Sequence, residues 1–255
     1  MFSWNSKQYL KFKNQRTRPA TDLAKSITFL EPNKIIDIGC GPGNSTEVLQ
    51  KRFPKAQIIG IDSSPDMIQT AKSRYNNIEF VCCDVNELFG KKEKYDIVFS
   101  NACIQWIPDH KNLLKNLMSL LNKNGVLAVQ VPFNFGEPIH KIISSTTSSE
   151  KWKSVFNRPR EQFLLSDSEY YNLLSEISSE FQMWLTTYYH KMKTHDDIME
   201  WYCGTGLRPY LEQLDEKKKS ELECEIFEKI RQAYPQQKSG DIIFRFPRLF
   251  FTAEK

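Results

Sequence analysis

Ile35-Ile36-Asp37-Ile38-Gly39-Cys40-Gly41-Pro42-Gly43-Asn44 is the stretch that decides the fold. An apolar run holding one acid breaks into three glycines at alternate positions. Residues 45–53 behind it read as a helix, with Asn44 or Ser45 placed to cap it. Strand, glycine turn and helix make the first half of a βαβ unit. Glycine permits positive φ and the close approach of a ligand. The following helix start offers N–H groups with no intrahelical acceptor, and open parallel sheets bind ligands outside the C-terminal ends of their strands. A dinucleotide site asks for G-x-G-x-x-G. The spacing here is G-x-G-x-G with Asn at 44, which fits a ligand without a pyrophosphate better.

Outward from this turn, short apolar runs alternate with helix-like segments. Strands are predicted at 34–38, 57–61, 78–82, 95–100 and 126–131, and helices at 65–75 and 111–121. Pro65 lies in the first turn of its helix behind Ser63 or Ser64 as cap, and "NKNG" stops the helix at 111–121. This alternation implies right-handed crossovers and a parallel sheet, an α/β fold. After Pro132 the rhythm changes. Residues 133–181 are polar and helical in places, and the serines of 144–149 suggest a mobile loop. Residues 183–189 read as a strand, and 195–232 as helix broken by "GTGLRP". Residues 242–252 read as a last strand, in which Pro247 argues for an edge position or a bulge. The division expected is a lid helix and cofactor core over 1–132, and a helical cap with the last two strands over 133–255, in one integrated domain.

Two further acids end strands. Asp62 closes the second, "IIGIDSSPDMI", and Asp84 the third, "IEFVCCDV". An acid at the end of the second strand can accept both ribose hydroxyls, and one crossover further on an acid can meet the exocyclic amine of adenine. Either alone also serves as a cap for the turn that follows. Both together with the glycine turn outline an adenosine. For Asp37 two roles stay open: holding the amides of the loop, or reaching a cationic group of the ligand.

"DIGCGPG", "GIDSSPDMI" and "CCDV", in this order, resemble the cofactor motifs of the class I S-adenosylmethionine-dependent methyltransferases. The resemblance implies a Rossmann-like seven-stranded sheet with helices on both faces, an antiparallel last strand, a helical insert in the C-terminal half, and S-adenosylmethionine as cofactor. It places Gly39, Cys40 and Gly41 around the amino-acid moiety, and Asp37 stays a cofactor-binding candidate beside them. Asp62 falls on the ribose, with Ser63 and Met67 flanking the ribose and adenine, and Asp84 and Val85 near the adenine. Asn101, Ala102 and Gln105, in "SNACIQWIPD" after the fourth strand, would lie against the cofactor. Gln105 and Trp106 would cover the methyl donor or form a wall; Trp106 serves equally as plain core. "NACI" departs from the acid-or-Asn, Pro, Pro, aromatic tetrapeptide of nucleobase amino-methyltransferases.

The flanks "WNSKQYLKFKNQRTRPATDL", "NACIQWIPDH", "TTYYHKM", "GTGLRPYL" and "FPRLF" are similar, over nearly the whole chain, to the branch of that family that esterifies small tricarboxylic acids such as trans-aconitate. A carboxylate is already ionised near pH 7, so no general base is required and no catalytic side chain is assigned; the chain has to align oxygen, carbon and sulfur. A polycarboxylate asks for cations and donors, and arginine suits bidentate carboxylate recognition. The candidates are Arg16, Arg18, Arg208 and Arg248, with Trp106 as wall and Tyr188, Tyr189 and His190 as donors. Methylation of another anionic metabolite or an acyl-carrier-bound acid, cofactor binding without turnover, and NAD-dependent reduction stay as alternatives.

With 255 residues, 40% hydrophobic and 26% charged, the chain can bury a sizeable core. The net charge of +4 is weak, and lysines and glutamates alternate, so no nucleic-acid partner is expected. No C-x-x-C pair occurs among the six cysteines, and His110, His140 and His195 lack ligand spacing; these histidines are read as surface or capping residues and no metal is expected. The cysteines are expected free and mostly buried. No apolar run is long enough to span a bilayer and the N-terminus lacks a signal-like apolar region, so a cytoplasmic protein without a membrane partner is expected. The expected assembly is a monomer or weak dimer. Tyr9, Phe12 and Arg16 recur at helical spacing, as a lid or as a packed helix.

Overall fold

Five strands whose inner residues are almost all apolar carry the fold: β1 (Lys34–Ile38), β2 (Gln57–Asp62), β3 (Glu79–Cys82), β4 (Tyr95–Asn101) and β5 (Leu121–Pro132). The structure is a computed structural model that describes residues 13–28, 31–156 and 163–255. Near-continuous apolar runs such as Ile35–Ile36 and Ile97-Val98-Phe99, all fully buried, mark strands covered on both faces. The five pair in parallel, with Ile38 opposite Ile61, Asp62 opposite Cys82, Asp37 opposite Phe99 and Asn101 opposite Gln130. Their C-terminal ends therefore finish on one edge. The full sheet has seven strands in the order β3-β2-β1-β4-β5-β7-β6, with β6 at Phe181–Met192 and β7 at Ile242–Glu254.

Strand β7 runs against β5. The Lys255 amide donates to the Gly125 carbonyl within β5, and the Phe133 amide, just past the end of β5, donates to the Pro247 carbonyl. Strand β7 is thus an inner strand, not the edge that Pro247 suggested. The missing proline N–H is tolerated because N–H and C=O of one residue face the same neighbour. That side of Pro247 meets β5 at its last rung, where the strand stops at Pro132. "NKNG" is also more than a helix stop. It falls inside β5, in a register shift between the Tyr95/Leu121 and Ile97/Val126 pairs.

The chain divides into two compact units. The first comprises 1–132, 162–186 and 249–255, and so holds β1 to β5, the first half of β6 and the last part of β7. Its helices are α1 (Lys13–Ser26), α2 (Asn44–Arg52), α3 (Pro65–Arg74), α4 (His110–Ser119) and α6 (Asp167–Ile177). Helix α1 packs on α2 and β5, and its Ala20, Leu23 and Ala24 are buried. Tyr9 and Phe12, the other members of the proposed lid, lie outside the described residues. Helix α3 starts at Pro65 with the Ser64 side chain accepting from the Met67 amide.

The second unit comprises 133–161 and 187–248. Its helices are α5 (Pro138–Thr147), α7 (His195–Cys203), α8 (Arg208–Leu211) and α9 (Glu216–Ala233). Helix α9 packs on α5 and α7 through Leu222, Ile226 and Ile230, around an aromatic centre of Trp201, Phe244 and Phe246. The serine-rich 144–149 segment is not the loop its composition suggested: Ser144 to Thr147 are helical, and Thr147 and Ser148 donate their hydroxyls back to the Ser144 carbonyl. All six cysteines are free, but only Cys40 is buried, while Cys82 and Cys224 are exposed.

Candidate cofactor site

The glycine turn sits at the C-terminal end of β1 and is tied to β2, since the Gly39 and Cys40 amides both donate to the Ile61 carbonyl. All three glycines have positive φ, 71° at Gly39, 55° at Gly41 and 87° at Gly43. What comes close differs among them. A Cβ on Gly39 would stand 2.1 Å from the Cys103 sulfur, and one on Gly43 2.8 Å from the Tyr75 ring, so the protein itself requires these two. At Gly41 a Cβ would meet nothing within 4 Å. Gly41 is therefore the position where backbone is left bare toward open space. Helix α2 begins directly from Gly43, without the side-chain cap expected of Asn44 or Ser45.

Ser45 and Thr46 instead serve Asp37. Both hydroxyls donate to its Oδ2, at 2.6 and 2.7 Å, and the residue is completely buried. The loop amides make no such bond, which removes one of the two roles left open for Asp37. Its Oδ1 has no hydrogen-bond partner among the described residues. Burial outweighs the two hydroxyls and pushes the carboxyl up to about 6. A half-satisfied buried carboxylate is costly and fits a cationic ligand group.

Asp62 is fixed from both sides. Its Oδ2 accepts from the Gly41 amide at 3.0 Å and its Oδ1 from the Ser64 amide at 2.8 Å. Each oxygen keeps a second lone pair, an arrangement suited to two vicinal hydroxyls. Burial raises this carboxyl as well, with the two amides working the other way. Ser63 beside it is exposed and Met67 is buried. Asp84 stands at the end of β3, as its position in sequence suggested, and it caps the 3-10 turn Val85–Leu88. Its Oδ1 accepts from the Asn86 amide and Glu87 returns to its own amide, with Val85 buried underneath. A carboxylate has about four lone-pair sites, so capping and ligand binding are compatible.

Past β4, Ala102 adopts a φ of 56° and its amide donates to the Gln130 carbonyl. A left-handed alanine is strained. The strain turns the chain so that buried Asn101 Oδ1 and Gln105 Oε1 are left without hydrogen-bond partners among the described residues, while Gln105 Nε2 donates to Ala102. Trp106 is half-buried on the same 3-10 turn, Ile104–Trp106.

Two braces behind the site escaped sequence reasoning. Arg74 at the end of α3 donates to the Pro42 carbonyl and to Asn44 Oδ1, both at 2.9 Å, and to the Tyr75 hydroxyl, which in turn donates to Glu47. His110, expected as a surface or capping residue, is buried. Its Nε2 meets the Ile104 carbonyl at 2.9 Å and its Nδ1 the Tyr170 hydroxyl at 2.6 Å, so it links α6 to the turn that carries Gln105. A carbonyl can only accept, so the ring is the Nε2–H tautomer and Tyr170 donates to Nδ1. No local signal marks either brace, because the partners are far apart in sequence. His195 meets the Tyr234 carbonyl at 2.8 Å, and His140 is half-buried against Tyr202.

The candidates for an acid substrate are spread over both units. Arg16, Arg18 and Trp106 belong to the first, and Arg18 stands 3.9 Å from Asp22 one turn on in α1. The rest belong to the second. Tyr188 and His190 are buried and their rings lie parallel, 6.3 Å apart. Tyr189 is 65% exposed on the other face of β6, as strand alternation demands, so it is not brought together with them. Arg208 donates to Glu212 at 2.6 Å, and buried Arg248 stacks over Phe246 at 4.5 Å. Among the described residues there is no cluster of metal-ligating side chains and no helix long and apolar enough to cross a membrane.

Five parallel strands ending at a glycine turn and two acids, extended by an antiparallel β7, define a class I S-adenosylmethionine-dependent methyltransferase. The profile of the family described as "Methyltransferase domain" matches residues 31–203. The chain is 41% identical over 255 residues to the trans-aconitate 2-methyltransferase of Enterobacter sp. (strain 638), covering all of this chain and 99% of that one. To the protein of the same name from Rhodopseudomonas palustris (strain BisB5) it is 39% identical over 257 residues, covering both chains completely. It belongs to the trans-aconitate 2-methyltransferase family. Among solved structures, the YcgJ protein of Bacillus subtilis shares the fold with a TM-score of 0.61 at 14% identity, over 93% of this chain and 98% of that one.

Proposed function

We propose that the chain esterifies one carboxylate of trans-aconitate with the methyl group of S-adenosylmethionine, releasing a monomethyl ester and S-adenosylhomocysteine. The observation that carries this is the end-to-end similarity, which runs through the second unit as well as through the cofactor motifs.

The cofactor, when bound, supplies a methyl group on a positively charged sulfur that departs as a neutral thioether. The residues present fit such a group. Asp37 Oδ1 and Asn101 Oδ1 are buried acceptors suited to an ammonium. Gly41 is bare toward open space, and Asp62 presents two lone pairs to the ribose. Gly39 and Cys40 line the amino-acid end, Ser63, Met67, Asp84 and Val85 the nucleoside, and Ala102 and Gln105 the turn past β4. None of these residues moves a proton. The attacking carboxylate is ionised near pH 7, so the chain would only have to hold it in line with the methyl group that the bound cofactor would supply. The chain's contribution is alignment and exclusion of water, and orientation of this kind supplies roughly 7–11 kcal/mol. Arg16, Arg18, Arg208 and Arg248 are the candidate cations for the acid, with Trp106, Tyr188 and His190 as candidate wall and donors.

The test is methyl transfer over a panel of trans-aconitate, cis-aconitate, citrate and isopropylmalate, with the ester position read by NMR. Trans-aconitate is expected to give a single monomethyl ester. Turnover of another acid with none of trans-aconitate would overturn the substrate.

A further inference from the structure

Within the second unit, buried polar side chains gather around one phenol. Tyr202 on α7 is 3% exposed. Its oxygen receives the Asn134 side-chain amide at 3.2 Å and meets Nε2 of His140, on α5, at 3.0 Å. Burial pulls the His140 imidazole down to about 4, so near pH 7 the ring is neutral and carries one N–H.

Counting hydrogens in this triad leaves one over. The Asn134 amide nitrogen can only donate, so it uses its own hydrogen on the phenol oxygen. The contact between Tyr202 and His140 uses one of the two remaining, phenolic or imidazole. If the phenol donates to Nε2, the ring keeps its hydrogen on Nδ1. If Nε2–H donates to the phenol, the phenolic hydrogen is left. In both cases a neutral donor has no acceptor among the described residues. In the first case the spare donor is the Nδ1–H of a half-buried ring, reachable by a ligand from outside; in the second it is the hydrogen of a buried phenol, and buried donors in native proteins are almost always paired.

The surrounding charge says which acceptor suits it. The Arg248 guanidinium is 4% exposed, and its charge acts on the Tyr202 phenol to lower it, against burial. Glu137, which acts on the same phenol in the opposite sense, is paired with Arg245 at 3.6 Å. Phe135 stands edge-on to His140 at 5.8 Å and adds an exposed apolar wall. A spare neutral donor close to a buried permanent cation matches a carboxylate, which offers two acceptor oxygens and one negative charge.

We propose that Tyr202, His140 and Arg248 form a carboxylate-binding subsite in the second unit, with Asn134 as the positioning residue that orients the phenol. Resting on the polycarboxylate substrate proposed above, the subsite takes one carboxylate of that acid.

The test compares wild type with Tyr202→Phe and His140→Phe in steady-state turnover of trans-aconitate, and measures S-adenosylhomocysteine affinity by calorimetry. Each variant is expected to raise KM for the acid about tenfold or more, the worth of a hydrogen bond to a charged group, with kcat and cofactor affinity nearly unchanged. An unchanged KM in Tyr202→Phe with cofactor binding intact overturns the subsite and leaves trans-aconitate as substrate. If wild type turns over a different acid of the panel, the substrate assignment falls, and the variants are read against that acid: a raised KM supports the subsite and an unchanged one overturns it. Should a variant not fold, wild-type enzyme labelled with 15N-histidine and saturated with S-adenosylhomocysteine gives the same decision. Added trans-aconitate moves the His140 ring resonances if the subsite exists and leaves them in place if it does not.

Discussion

The cofactor end of the first unit and the phenol cluster of the second hold buried polar groups by different means. In the first, consecutive residues from Ile35 to Thr46 supply strand, turn, helix start and even the hydroxyls on Asp37. In the second, Asn134, His140, Tyr202 and Arg248 come from a loop, two helices and a strand far apart in the chain. A contiguous site is stiff because backbone geometry fixes it; a dispersed one depends on the packing of each element. The first should therefore break through the backbone, and the second through single side-chain atoms.

The largest effect is expected from Gly39→Ala. Positive φ and a Cβ placed 2.1 Å from the Cys103 sulfur cannot both be relieved without moving the turn. A loss of roughly 3 kcal/mol or more in urea unfolding is expected, since strain and overpacking add. Gly41→Ala has the φ penalty and no clash, so it should retain the fold and lose mainly cofactor affinity. Equal stability losses in the two variants would contradict the division of labour among the glycines.

Next comes Asp62→Ala. It should weaken S-adenosylhomocysteine binding by about a hundredfold, two charge-assisted hydrogen bonds' worth, while circular dichroism stays native. An unfolded spectrum would show that the Gly41 and Ser64 bonds serve folding first.

Asp37→Asn tests the electrostatics of the turn. Burial raises the Asp37 carboxyl from an ordinary 3.8 to about 6, so the folded state holds this proton more tightly than the unfolded chain. Its stabilising contribution is full below the ordinary value and is lost as pH rises through about 6. Without cofactor, the asparagine variant should gain up to about 3 kcal/mol over wild type at pH 7.5, and nothing near pH 3.5. In wild type, S-adenosylhomocysteine affinity should rise with pH through about 6 as the carboxylate forms, and the variant should be flat. A pH-independent wild-type affinity would take Asp37 away from the ligand's ammonium.

The smallest effect is expected at Tyr189. Its ring is mostly in solvent, so Tyr189→Ala should leave KM, kcat and melting temperature close to wild type. A large rise in KM would mean that the exposed face of β6 meets the substrate.

Much of the first unit was legible because its determinants are local. Apolar runs marked β1, β2, β3 and β4 to within about two residues, the usual uncertainty of element ends, and the acids at 62 and 84 fell at strand ends. His110 misled, since it looks like a surface or capping residue until Tyr170 and Ile104 are seen around it. Pro247 misled as well, because whether a missing N–H is tolerated depends on where the neighbouring strand stops.

Sequence alone determined the parallel sheet, its glycine turn and the acids beside it, because hydrophobic period and turn chemistry act over a few residues. Tertiary structure alone decided how those acids are used. It set Asp37 on the Ser45 and Thr46 hydroxyls, shared Asp62 between two amides, made Asp84 a cap, and gathered Asn134, His140 and Tyr202 around one hydrogen too many. The reason is physical: a hydrogen bond is fixed by distance and direction in space, and the elements that bring its two ends together are set by packing.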